Sequence, residues 1–563
     1  MASKKQQINV KTGHPGWPIN YGNSLMKKIY VLAAAYLLFF PSCTKEFLTK
    51  DNPTSTTDEQ FWKTEAQLLT VVNDLAGGLP GGVFNFNGNT RISFTGLTDD
   101  AVWTANFLPE INTIALGNAT PILPPSAFMA VLPFWRDDYS RIRLANRFLE
   151  NASSAYVDPA DLKRYMLEVR AYRAFFHLEL FLYYGAIPIV TKSITPNESD
   201  LKRNTKEEVI QFITSELSEC AAGLPLDYSA QGGDIFNRIT KGAALTMKTV
   251  AFLNAGMYPQ AASAAKEVID LRYYELYKAA DPKNSYLNLF MYSGETNKER
   301  IISIQNGNHK DAFLRLAPPN AGGTSTVNPT AAMVNTYETR QGKTLAELGT
   351  DSLEIYKRNP NYNDNRDPRF KASIIYPGAT FYTLVDPFAP LPNVCAIGAN
   401  NSSRTGFWVR KYADLADRTR PENGSLDFMI YRYADVLLMY VEALVESGQW
   451  SNTDVVTYLN QIRERAGMPN VNTTVYNTEA KMRELYRRER RVELAFEGSR
   501  LFDMRRWRIA DQVMNGVVYG ATNPATGVTV IAETRKFTNK DWLWPIPGEE
   551  MAGNLNMVQN PGY

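Results

Sequence analysis

Two adjacent carboxylates, Asp99 and Asp100, precede Trp103 in the stretch TDDAVWTANFLPEINT. Glycoside hydrolysis needs two acidic side chains at a defined separation, and this is the first pair in the chain to suspect. With 58 acidic residues, accidental pairs are inevitable, and no local motif singles this one out. A second cluster, NPNYNDNRDPR, places oxygen-bearing side chains at Asn359, Asn361, Asn363, Asn365 and Asp367. It suggests calcium, but it lacks the glycine and the terminal glutamate of an EF-hand loop, so a structural loop is the better reading. The three cysteines, Cys43, Cys220 and Cys395, form no CxxC pair, and a bridge between the last two stays open. His177 and His309 cannot supply a three-histidine zinc site, and nothing calls for a metal or another cofactor.

A third segment raises a different chemistry. LYRRERRVELAFEGSRLFDMRRWR, residues 485–508, carries eight arginines in twenty-four positions, a density that could grip a polyanion. The whole chain has a formal net charge of only +2, so its overall field attracts polyanions weakly. Read as a helix from about residue 478, the segment interleaves acids with its arginines. Glu484 can meet Arg487 and Arg488, Arg490 can meet Glu493, and Glu497 can meet Arg500. Leu485, Val492 and Phe496 form an apolar line on that helix. A nucleic-acid arm would leave its arginines free for phosphates, so the expectation is a salt-bridged structural helix.

The elements that would position these residues are mostly helical. Leu162, Met166, Val169, Phe176, Leu180 and Tyr183 fall largely at three- and four-residue steps, and the helix they predict stops at Gly185, before Pro188. Thr205 and Glu208 predict a capping box ahead of Val209, Phe212, Ile213 and Leu217. A third helix, TKGAALTMKTVAFLNAG, is rich in small residues. An internal echo joins AFLNAGMYPQAASAAKEVI to ALVESGQWSNTDVVTYLNQI: each sets a glycine, Gly256 or Gly448, two residues before an aromatic, Tyr258 or Trp450. Helix, glycine turn, helix is the tetratricopeptide unit, in which each pair buries its apolar face against neighbours. Trp135 and Trp507 sit in helical context and read as core. Residues 77–135 and 305–428 are long, irregular and rich in Asn, Gly, Pro and aromatics, a pattern expected of binding loops. A content of 44% hydrophobic and 21% charged residues is that of a globular body.

The N-terminal region reads as export. MKKIYVLAAAYLLFFPSC, residues 26–43, has two lysines, an apolar run from Ile29 to Phe40 too short for the ~20 residues of a membrane span, and a cysteine after Pro-Ser. This predicts a lipoprotein signal over 26–42, with Cys43 acylated and residues 1–25 an upstream extension. Residues 43–60 are a polar tether and 61–563 a single domain.

RERRVELAFEGSRLFDMRRW and the C-terminal WPIPGEEMAGNLNMVQNPGY resemble the SusD/RagB family, as do EVRAYRAFFHLELFLYYGAIPIV, RITKGAALTMKTVAFLNAG, RDPRFKASIIYPG, YRYADVLLMYVEAL, LNQIRERAG and FLTKDNPTS, all in the expected order. The lipobox is irregular, and VEAL stands where AEAL is commoner. The resemblance implies an all-α fold, with about four tetratricopeptide-like helix pairs supporting long irregular insertions. It also implies a lipid-anchored outer-membrane protein of Bacteroidetes that binds oligosaccharides without turning them over and delivers them to a TonB-dependent transporter. Some relatives carry peptides instead. Sugar binding needs flat aromatics for pyranose faces and polar side chains for paired hydroxyls. Two stretches have that mixture: Trp103 and Phe107 among Asp99, Asp100, Asn106 and Asn112, and Tyr292, His309 and Phe313 near Asn306 and Asn308. Each of these aromatics has a competing role in the core or as a loop anchor.

Overall fold

The helical half follows closely from its caps. Asp158 accepts a bond from the Ala160 amide and Pro159 opens a helix that runs Pro159–Tyr184, ending at Gly185 with φ 76°. Thr205 and Glu208 form the expected capping box, and Thr240 caps the small-residue helix through the Ala243 amide. In this computed structural model the described residues are 61–81, 91–104, 113–121, 132–229, 238–304, 311–358 and 364–563. The signal segment, Cys43 and the tether therefore lie outside the described residues. So do Asn106, Phe107, His309, Asn359, Asn361 and Asn363.

Within the unit Trp62–Tyr563 the principal helices are α1 (Glu65–Gly77), α2 (Leu132–Asn151), α3 (Pro159–Tyr184), α4 (Lys206–Gly223), α5 (Lys241–Asn254), α6 (Tyr258–Asp270), α7 (Tyr433–Glu446), α8 (Thr453–Arg465), α9 (Glu479–Glu493) and α10 (Arg500–Arg506). From α2 to α8 each helix packs on the next, and α1 lies against α2 and α3. The two echoing units are α5–α6 and α7–α8. Their turns carry Gly256 at φ 76° and Gly448 at φ 79°, backbone that a side chain would strain. They also touch, α6 against α7, although more than 150 residues separate them in the chain. Helix α7 is buried from Tyr433 to Val445, all the way round, as the centre of a stack must be. No helix of the described residues is long and apolar enough to cross a membrane.

The irregular half consists of short two-stranded ladders. Antiparallel pairs join β1 (Ala101–Trp103) to β3 (Val327–Pro329) and β2 (Arg300–Ile304) to β8 (Phe428–Arg432). Others join β4 (Ile374–Ile375) to β7 (Trp408–Val409), β5 (Thr380–Phe381) to β6 (Thr383–Leu384), and β9 (Gly516–Thr522) to β10 (Thr529–Arg535). These ladders cross-link segments of the irregular half, and β8 runs directly into α7.

The arginine-rich segment departs from its reading as one continuous helix. Helix α9 is capped by Thr478, in keeping with a start near residue 478, but stops at Glu493. Phe496 takes φ 61° and Gly498 φ 83°, and α10 starts afresh at Arg500. The turn brings Gly498 so close to Arg91 that a Cβ there would fall within 2.7–2.9 Å of it, so the break needs glycine at this position. Leu485, Val492 and Phe496 are buried as the apolar line predicts. Six of the segment's eight arginines are paired with carboxylates, though mostly not with helical neighbours. Of the expected local pairs only Arg488–Glu484 forms, at 3.4 Å, while Arg506 has an i,i+3 partner in Asp503. Arg487 pairs with Glu446, Arg490 with Asp435 and Asp503, and Arg500 with Asp99. Glu493 instead collects Arg369, Arg432 and Arg465, and Glu497 collects Arg432 and Lys411. Cys220 and Cys395 are both buried free thiols, which settles the open question of a bridge.

Candidate functional site

The suspected catalytic pair is part of this ion network. Asp99 takes both Nε and Nη2 of Arg500, at 2.8 and 2.9 Å, and also Arg491 at 2.9 Å. Asp100 binds Arg491 Nε at 2.7 Å. Burial alone would raise the Asp99 carboxyl, but Arg491 and Arg500 outweigh it and hold it at about 2. Asp100 goes the other way, raised by burial and by the neighbouring Asp99 charge against the pull of Arg491. Carboxyls pushed apart in this way resemble an acid and its partner base. Here Asp100 is 1% exposed, and both carboxylates are taken up by guanidiniums. The pair ties the loop before β1 to α9 and α10. In the same way Asp367 of the suspected calcium loop caps the short helix Pro368–Ser373 and pairs with Arg369, and Asn365 donates to the Tyr356 hydroxyl.

Three of the aromatic candidates fall within the described residues, and none is a free platform. Trp103, in β1, is 1% exposed, and the chain makes room for its indole with Gly96, where a Cβ would lie 2.1 Å from the ring. A sugar cannot stack on a ring covered by protein, so Trp103 is a core residue and the expectation of a platform there is corrected. Phe313 is also 1% exposed, stacked against Phe381 with centroids 6.3 Å apart. Tyr292 is half-buried. Its hydroxyl donates to Asp417 at 2.8 Å and accepts from the Ser425 amide at 2.7 Å, while the Arg420 guanidinium lies 5.6 Å from its ring centre. These groups position a surface instead of forming it.

What they position is legible in the backbone. The Thr104 amide, where the chain leaves for 105–112, bonds to Thr326 O at 3.1 Å. The amides of Thr324 and Thr326 bond in turn to Leu314 O and Arg315 O, both at 2.6 Å, just after the chain returns from 305–310. Both sugar-suited stretches thus enter from one anchor, residues 324–326, where Ser325 sits at φ 49° and accepts from the Trp408 indole at 2.7 Å.

Phe313 connects this anchor to the β5–β6 hairpin, whose turn is a single residue, Tyr382. Phe381 faces inward onto Phe313, and Tyr382 faces out, 48% exposed. Its φ is 63°, a left-handed backbone that costs a bulky side chain about 1 kcal/mol or more. Two contacts hold it there. The Asn320 amide reaches Thr383 Oγ1 at 2.8 Å and Thr383 O at 3.2 Å, clamping the hairpin. The Arg418 guanidinium sits 3.8 Å from the Tyr382 ring centre, covering one face. Leu384, in the same hairpin, is exposed as well. Sequence reading missed Tyr382, because TFYT carries no glycine or asparagine to mark a left-handed turn.

Against known families, residues 284–563 match the model described as the SusD family, and residues 122–251 match one described as starch-binding associating with outer membrane. SusD-like protein P2 of Formosa agariphila is 25% identical over 96% of this chain and 100% of its own length. A SusD-like carbohydrate binding protein from Bacteroides fragilis is 27% identical, covers 88% of this chain and 100% of its own, and superposes with a TM-score of 0.79. A laminarin binding SusD-like protein shares the fold at TM-score 0.64 and 22% identity, over 89% of this chain and 100% of its own. Sequence and fold agree along most of the chain's length, and the chain belongs to the SusD family.

Proposed function

We propose that this protein captures an oligosaccharide at the Tyr382 hairpin and passes it to a TonB-dependent outer-membrane transporter, without a covalent step. The observation that carries the reading is Tyr382 itself. An exposed aromatic ring is held at φ 63° by Asn320 and Arg418, with its other face turned outward, on a hairpin fixed through Phe313 to the anchor of two polar loops. Backbone strain that the surroundings over-determine is a mark of function, and a fixed ring costs little entropy when a pyranose stacks on it. Asn106, Phe107 and His309 belong to the loops entering at that anchor, and we include them as the polar and aromatic complement. Carbohydrate binding in solved relatives supports the class of ligand. Cys43 supplies the lipid anchor in this reading.

The test is retardation of the purified chain in native gels containing a panel of polysaccharides, with calorimetry on any that retards it. One glycan class should retard wild type, and Tyr382→Ala should bind it at least about tenfold more weakly, the scale of losing one stacked ring. Failure of every glycan, with binding of extended peptides instead, would replace the sugar reading with the peptide-carrying one.

A further inference from the structure

Beside the hairpin lies a cavity of about 530 Å³. One wall runs along Tyr376, Gly378, Ala379 and Thr380, the strand that reaches Tyr382 two residues later. The other carries Lys283, Lys371 and Arg410. Among the described lining residues the sole carboxylate is Asp364, already paired with Lys371, and both of those side chains are largely exposed. Arg465 also borders the cavity, but Glu299 and Glu493 neutralise it.

Arg410 is the unusual group. Arg369, Arg432 and Arg463, buried around α9, are matched by carboxylates. Arg410 is half-buried, lies 5.6 Å over the Phe381 ring, and has no ion pair or side-chain hydrogen bond among the described residues. The charged group closest in effect is Asp414, whose oxygens are taken by the amides of Tyr292 at 3.1 Å and Ala416 at 2.9 Å. Burial pulls Arg410 below its ordinary value, so an arriving anion would relieve a cost already present there. Lys283 is exposed and makes no ion pair among the described residues, and Arg418, over the Tyr382 ring, makes none either. In a chain of net charge +2, Lys283 and Arg410 line one cavity without ion pairs among the described residues, next to Lys371, whose Asp364 partner is largely exposed, and the grouping is local.

We infer that the captured glycan is anionic, with its carboxylate or sulfate groups seated in the cavity lined by Lys283, Lys371 and Arg410 while a sugar ring stacks on Tyr382. This inference rests on the capture reading of the hairpin. Guanidinium and ammonium groups bind either anion through charge-assisted hydrogen bonds, and uronates and sulfate esters share that chemistry.

The full chain should be run in native gels with alginate and polygalacturonate for uronate, iota-carrageenan for sulfate ester, and amylose and laminarin as neutral polymers. The expected result is retardation by an acidic polymer and not by the neutral ones; which acidic polymer acts identifies the anion. Binding should weaken at least about tenfold in Arg410→Gln, and also in Lys283→Gln/Lys371→Gln, whose exposed positions leave folding intact. It should also weaken as salt rises from about 0.05 to about 0.5 M. A neutral polymer bound through Tyr382 but unaffected by Arg410→Gln overturns the anionic inference and leaves capture at the hairpin standing. An acidic polymer lost in Arg410→Gln but kept in Tyr382→Ala leaves the cation cavity standing and overturns the hairpin reading. No retardation by any polymer overturns both.

Discussion

At the scale of single residues, burial separates side chains that the sequence leaves equivalent. Trp103 and Tyr382 are both aromatics in polar, loop-like stretches. One is sealed against Gly96 and the other projects. Trp103→Ala should therefore act on stability, costing about 3–5 kcal/mol by denaturant unfolding, the range for emptying a buried large aromatic site. Weakened glycan binding at undiminished stability would restore Trp103 as a platform. His177 offers a pH-dependent check. On α3 it is buried, its Nδ1–H donates to Arg173 O at 2.8 Å and its Nε2 accepts from the Val190 amide at 3.2 Å, which fixes a neutral ring. Burial lowers it from 6.5 to about 4. Between those values the unfolded chain binds a proton that the folded chain refuses, so stability falls as pH drops through that window, by about 3 kcal/mol in all. His177→Gln should flatten this part of the stability profile, read as unfolding midpoints from pH 7 to pH 4.

At the scale of elements, local signals were readable and distant partners were not. The capping box at Thr205, the glycine stop at Gly185 and the paired turns at Gly256 and Gly448 are written in neighbouring residues, and they stand where the sequence puts them. The ion partners of α9 come from other elements: Glu338 for Arg488, Asp99 for Arg491, Arg369 for Glu489. Nothing in the spacing of a helix can show a carboxylate more than a hundred residues away. The candidate site fared similarly. Two of its loops announced themselves by composition, but the hairpin that carries Tyr382 depends on Asn320 and Phe313, whose roles appear only in three dimensions. Glu493 tests the network most sharply. It is fully buried among Arg369, Arg432 and Arg465, and although burial alone would raise its carboxyl, these three hold it far below the ordinary range. Glu493→Gln removes the charge and leaves buried guanidiniums undercompensated, which should cost about 3–5 kcal/mol in unfolding free energy. A loss below about 1 kcal/mol would mean that the network adds little to holding α9 in place.

At the scale of the whole molecule, one half is a stack of packed helices and the other is held together by two-stranded ladders. The division explains why helices were legible from periodicity, whereas a loop-rich face had to be seen. In the proposed function Tyr382 is strained for the sake of ligand, so its removal should separate stability from binding. Tyr382→Gly is the direct measurement. Glycine accepts φ 63° without penalty, so thermal unfolding should show stability unchanged or raised by up to about 1 kcal/mol. Calorimetry with the retarding glycan should at the same time show affinity at least about tenfold weaker. Affinity equal to wild type in Tyr382→Gly would contradict the account.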